Sequence, residues 1–249
     1  MTLHVAIQNW VIAPPKVRRV CETPRVKDGD AAPPYYPAPH GGWITEWSES
    51  YRTAALLAAN LTLAEKMNIT CGNGYDMERC DGNMGSALQL GIPQLCLQDS
   101  PLGIPNSDQN TAFPADITVR VTWDKSLMHA RGVAVSKEFW GKGINVHLGP
   151  IGRKPRGGRG WEGFGADPVR QAVGGAPTIK GAQEQAVIAT IKHSILNEQE
   201  MYRIYNLFAE GVKAGVGSVM AAYSTVGSAC SQNGYLMNGI LKDKLGFQG

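Results

Sequence analysis

The sequence predicts a parallel α/β fold, and two observations carry the prediction. Short apolar runs of the kind buried on both faces of a sheet stand at 94–97, 117–121, 144–148, 187–191 and 216–222. They alternate with helical patterns at 125–140, 199–214 and 236–245. Polar residues follow directly behind three of the runs: Gln98-Asp99, Lys192-His193 and Tyr223. In parallel α/β folds the C-terminal ends of the strands carry the site, so these placements point to one pocket. On this pattern alone a doubly wound sheet and a (β/α)8 barrel are both open.

Residues 1–40 read as irregular. Pro14-Pro15 and the run Pro33-Pro34-Tyr35-Tyr36-Pro37 cannot sit inside helices or central strands. From 47 to 66 the pattern turns helical, with Leu56, Leu57, Leu61 and Leu63 among Ala and polar residues. The helix at 125–140 starts behind Asp124, a residue suited to capping its first turn. No GxGxxG or P-loop opens any helix, which argues against a nucleotide site. There is no internal repeat.

The chain has 249 residues, 43% hydrophobic and 18% charged, which is ordinary globular composition. A net charge of +3 is only mildly basic. The densest basic stretch, Arg153-Lys154-Pro155-Arg156-Gly157-Gly158-Arg159, is Gly-rich and runs into Trp161, so it fits a solvated or substrate loop better than a nucleic-acid patch. No apolar stretch approaches the ~18 residues of a membrane span, and residues 1–20 lack the continuous apolar core of a signal peptide. Two N-x-[ST] sequons, at Asn60 and Asn68, matter if the chain is secreted. The five cysteines, Cys21, Cys71, Cys80, Cys96 and Cys230, show no CxxC spacing, so neither a zinc site nor any other metal or cofactor is expected.

Read as chemistry, the candidates are Asp99, Arg159, Trp161, Glu162, Lys192, His193 and Tyr223. Carboxylates and cationic donors grip vicinal hydroxyls, and an indole stacks on the apolar face of a pyranose. There is no GxSxG, and the five His residues stand apart, so a Ser-His-Asp triad is not indicated.

The linear motifs are more specific. LGIP at 90–93, LCLQDSPLGI at 95–104, TAFP at 111–114, TWDK at 122–125 and GINVHLGP at 143–150 follow one another in order. GGRGWEGF at 157–164, KH at 192–193, NEQE at 197–200, GVGSVM at 215–220 and LGFQG at 245–249 continue the series. This order resembles the N-terminal barrel of fungal-type β-glucosidases of glycoside hydrolase family 3, from about residue 33 to the end. The resemblance implies a (β/α)8-like barrel over 41–249, incomplete in its last strand–helix units and without the family's second α/β sandwich domain. It implies that Asp99 accepts hydrogen bonds from sugar hydroxyls, that Arg159, Lys192 and His193 bind other hydroxyls of the same glucose, and that Tyr223 sits beside the nucleophile. It also implies a Cys80–Cys96 disulfide, and an extracellular, glycosylated protein.

The departures bear on chemistry. Where the family reads LGIR, Pro105 follows Ile104 and a guanidinium donor is lost. Gly160 and Ser224 stand where the family has Asn, and Ala221 where it has Cys. The segment between Arg203 and Phe208 is shorter than the family's. The family's nucleophile Asp follows the LGFQG block, placing it beyond Gly249, and its acid/base carboxylate lies in the second domain. The expectation is hydrolysis of terminal β-D-glucosyl residues by descent, with these 249 residues binding sugar without cleaving it unless a C-terminal chain complements them. An unstable fragment is the other outcome.

Overall fold

The computed structural model describes residues 34–77, 80–151, 158–194, 206–223 and 225–249. Six strands form one open sheet: β1 (Gly72–Met77), β2 (Cys80–Met84), β3 (Cys96–Asp99), β4 (Val146–Leu148), β5 (Ile188–Ser194) and β6 (Ser218–Ala221). Their order in the sheet is their order in the chain. The first two pairings are antiparallel, and β3 to β6 run parallel. The β1–β2 hairpin was not foreseen, because its Gly, Asn and Asp residues carry no apolar strand signal.

The helices are α1 (Thr45–Asn60), α2 (Leu63–Thr70), α3 (Asp116–Arg120), α4 (Lys125–Gly141), α5 (Pro168–Gln183) and α6 (Asn206–Lys213). A π-type helix, Tyr235–Lys244, stands where a helix was expected at 236–245. Asp124 caps α4 as expected, accepting from the Ser126 N–H at 2.7 Å. The helical stretch at 47–66 splits in two at Leu61, and Thr62 opens α2 with a capping box closed by Glu65. Of the helix expected at 199–214, residues 206–213 are helical and 199–205 lie outside the described residues. The Pro-rich segment at 34–40 forms no regular element, and 1–33 lie outside the described residues.

One expectation fails. The run at 117–121, read as a strand, folds as the short helix α3. Burial falls on Asp116 and Val119, a helical spacing, while Val121 faces solvent. A run this short satisfies either period, and burial of Asp116 against Arg131 decides it. Helix α5 was missed, its apolar signal diluted by glycines and by Pro177. Those glycines have a reason. A Cβ on Gly132 would come 2.5 Å from the Thr178 carbonyl oxygen, and one on Gly181 would come 2.5 Å from that of His129. Small residues on both helices therefore let the backbones of α4 and α5 approach closely.

Two apolar clusters lie between sheet and helices. One joins Cys80, Cys96, Val135, Phe139, Ile144 and Val187. The other joins Ile179, Ala189, Ile191, Leu207, Phe208 and Val216. The first contains the Cys80–Cys96 disulfide, which staples β2 to β3 as the family resemblance implied. Its ends are 16 residues apart. Reducing it is expected to lower stability by about 3 kcal/mol, chiefly by freeing the unfolded chain. Urea unfolding of the oxidised and reduced chains measures this, and coincident midpoints would contradict it.

Candidate carbohydrate-binding site

Asp99 ends β3. Its backbone N–H is shared between the Asp81 carboxylate at 2.9 Å and the Gln98 side-chain oxygen at 2.8 Å. Parallel pairing sets Asp99 beside Leu148 of β4. Two strands along, near the C-terminal end of β5, Lys192 reaches across and donates its Nζ to Asp99 Oδ1. The Lys192 side chain is 2% exposed, that of Asp99 36%. Burial pulls the ammonium pKa below its usual range, and the Asp99 carboxylate works in the opposite direction.

Arg159 approaches Asp99 from the loop before a 3-10 turn, Gly160–Glu162. Its nearest nitrogen lies 3.9 Å from Asp99 Oδ2, an ion-pair distance beyond hydrogen-bond reach. The guanidinium is instead forked onto Glu162, with one Nη at 2.5 Å and Nε in parallel. That pairing raises the Arg159 pKa further, so the group is a permanent cation. Glu162 itself is only 5% exposed.

The sequence placed Asp99, Arg159, Lys192 and His193 in one pocket, and the structure brings the first three into one charged cluster. His193 is buried and adjoins Lys192 through a cis peptide bond. Its ring lies 6.1 Å from that of Tyr223, and Tyr223 is 86% exposed. Trp161, on the same turn as Glu162, exposes part of its indole toward solvent. Glu198, Glu200 and Ser224 lie outside the described residues.

Sequence reading missed the layer beneath. Asp116 is buried 2.5 Å from Arg131. Arg131 also donates Nε to the Pro114 carbonyl at 2.6 Å and Nη2 to that of Pro101 at 2.9 Å. His147, in the middle of β4, is buried with Nε2 3.4 Å from the Ser100 carbonyl. Asp116, His147 and Glu162 all line a small chamber of about 10 Å³, about the size that admits one water. The available signals were a charge on the buried stripe Met128, Arg131, Val135, Phe139 of α4 and a His within an apolar strand. Among the described residues, no group of three or more His, Cys, Asp or Glu is arranged to hold a metal ion.

The two sequons differ. Asn60 ends α1 exposed, its amide bonded only locally to the Leu56 carbonyl. The Asn68 amide is committed at both ends, donating to the Ser86 carbonyl at 2.8 Å and accepting from Asn73 at 2.7 Å. Asn60 is therefore the sequon whose amide nitrogen gives up only one exposed, local hydrogen bond on taking a glycan.

A carboxylate set between two cations at the C-terminal edge of a parallel sheet stands where α/β enzymes carry their sites. The comparisons with known proteins agree. The model of the glycosyl hydrolase family 3 N-terminal domain matches residues 76–197. Probable beta-glucosidase F of Aspergillus fumigatus is 58% identical over 265 aligned residues, covering 95% of this chain and 30% of the relative. Among solved structures, a Chaetomium thermophilum beta-glucosidase matches with a TM-score of 0.82 at 42% identity, over 88% of this chain and 30% of that one. Beta-glucosidase 3B from Thermotoga neapolitana, solved in complex with glucose, matches with a TM-score of 0.71 at 27% identity, over 78% and 33%. The chain belongs to glycosyl hydrolase family 3. It spans about 30% of the length of the curated relatives it matches.

Proposed function

We propose that these residues form the glucose-binding part of a retaining β-glucosidase acting on terminal β-D-glucosyl residues of cello-oligosaccharides or plant β-glucosides. The observation that carries this reading is the convergence of Lys192 and Arg159 on Asp99 at the ends of β3 and β5. Asp99 accepts from sugar hydroxyls, Arg159 and Lys192 donate to their oxygens, His193 supports the same sugar, and Tyr223 lies at the open side toward the reacting carbon. Retaining hydrolysis needs two carboxylates about 5–5.5 Å apart. In this reading both come from polypeptide outside the 249 residues, which complete a (β/α)8-like barrel and add a second domain. The substrate is the only partner required of this part; a complementing C-terminal segment or chain is required for turnover. No cofactor, nucleic acid or membrane enters the scheme. An extracellular setting suits both the disulfide, which needs an oxidising compartment, and the exposed Asn60 sequon.

The test is calorimetric titration of the 249-residue chain with glucose, alongside nitrophenol release from an aryl β-glucoside. The expected result is saturable binding that is lost in Lys192→Ala, without turnover. Absence of glucose binding by the folded chain would sink the reading. Turnover abolished by Lys192→Ala would show that the catalytic carboxylates lie within these residues after all.

A further inference from the structure

We infer that Glu162 is a positioning residue that holds the Arg159 guanidinium off Asp99 and so reserves both groups for the sugar. The inference deepens the proposed function and rests on it.

The geometry argues in three steps. First, Glu162 and Arg159 are locked together. They stand three residues apart on a 3-10 turn, where side chains at that spacing eclipse. The Glu162 N–H bonds the Arg159 carbonyl at 3.1 Å, which fixes the turn, and the carboxylate takes two parallel donors of the guanidinium fork.

Second, Glu162 is reserved for this duty. The other cations of the cluster are committed elsewhere. Arg131 is consumed by Asp116 and the carbonyls of Pro101 and Pro114, and Lys192 is engaged by Asp99. Behind Glu162 lies the small chamber it shares with Asp116, a second carboxylate whose pKa the Glu162 charge raises and which therefore offers Glu162 no partner.

Third, the consequence falls on Asp99. Its Oδ1 is taken by Lys192, while Oδ2 faces Arg159 across 3.9 Å. That gap is too wide for a hydrogen bond and leaves Oδ2 as an acceptor and the outer guanidinium N–H groups as donors. Adjacent hydroxyls of a pyranose can bridge such a gap, one donating to Oδ2 and its neighbour accepting from Arg159. Without Glu162, an ordinary side-chain rotation closes the gap, and Arg159 pairs with Asp99 directly. The cluster would then satisfy itself and shut out the sugar.

This differs from a role in folding alone, because it predicts that a second loss repairs the first. Glucose affinity is measured by calorimetry for the wild-type chain, Glu162→Gln, and Glu162→Gln combined with Arg159→Ala, each checked for native circular dichroism. Loss of charge-assisted contacts predicts at least about tenfold weaker binding in Glu162→Gln. Removing the collapsed guanidinium should then give the double variant tighter binding than Glu162→Gln alone. If Glu162→Gln does not fold, Glu162→Asp decides. Its carboxylate is one methylene too short for the fork, so weaker binding is expected, and wild-type affinity would overturn the inference. Wild-type affinity in Glu162→Gln, or a double variant weaker than the single, would also overturn it while leaving the proposed function intact. Failure of the wild-type chain to bind glucose would overturn both.

Discussion

Replacing Asp99 by alanine is expected to lower stability by about 3 kcal/mol, besides abolishing sugar binding. The cause is Lys192, whose side chain is almost wholly buried and whose ammonium is paired with Asp99. Removing one member of a buried ion pair typically costs roughly 3–5 kcal/mol because the other charge stays out of water. The lower end applies here, since Asp99 is about a third exposed and water can enter in its place. The sign of the pH dependence follows. With Asp99 gone, burial depresses the Lys192 pKa unopposed by its partner, so the unfolded chain binds more protons than the folded one in the alkaline range. The variant should regain stability as pH rises toward the ordinary lysine pKa. Asp99→Leu combined with Lys192→Met should recover most of the loss while remaining unable to bind sugar. Urea unfolding as a function of pH reads all three. A loss in Asp99→Ala that the second replacement does not repair would locate the damage elsewhere, for instance in β3.

The second large effect lies under the site. Burial pushes the Asp116 carboxyl up to about 6, with Glu162 adding to the rise and Arg131 opposing it. Burial also pushes the His147 imidazole down to about 4, helped by Arg131 and Lys192 and opposed by the Ser100 carbonyl and Asp99. The two groups act on stability in opposite directions. Between pH 4 and 6 the folded chain holds a proton on Asp116 that the unfolded chain has lost, so this group costs stability as pH rises. Between pH 4 and 6.5 the unfolded chain protonates His147 while the folded chain does not, so this group costs stability as pH falls. Each spans about 3 kcal/mol, and together they nearly cancel. Separating them needs two variants compared with wild type at each pH. Against Asp116→Asn, the wild type should lose about 3 kcal/mol of relative stability from pH 4 to 6.5. Against His147→Gln it should gain a similar amount. A flat difference for either variant would mean that the group titrates normally.

How much of this could be read in advance depends on what kind of signal each part leaves. The parallel strands β3 to β6 were legible because strands buried on both faces become continuous apolar runs, and Asp99 and Lys192 were legible as the polar residues that end or interrupt them. Arg159 was found through its motif, and the Cys80–Cys96 bridge through the family resemblance. The hairpin β1–β2 was invisible because its residues are those of turns, and its stability comes from the staple and from pairing with β3. Helix α3 was misread because a five-residue run with four β-branched residues fits two periods equally well. Asp116, Arg131 and His147 were overlooked for a different reason. Each is a polar residue inside an apolar pattern, and a pattern is judged by its majority. The residue that breaks it carries the information about the buried network.

The agreement between strand order in the sheet and strand order in the chain has a consequence for how the molecule is made. Each strand from β2 to β6 pairs with the one synthesised just before it. A chain emerging N-terminus first therefore never has to reopen what has already formed; each new strand docks on the current edge of the sheet, and its helix then covers it. Domains generally fold in the order of synthesis, and here the same logic holds strand by strand within one sheet. From β3 onward the leading edge during translation is a strand whose hydrogen-bonding groups await a parallel partner from the ribosome, so the growing edge of the nascent sheet moves with the point of synthesis.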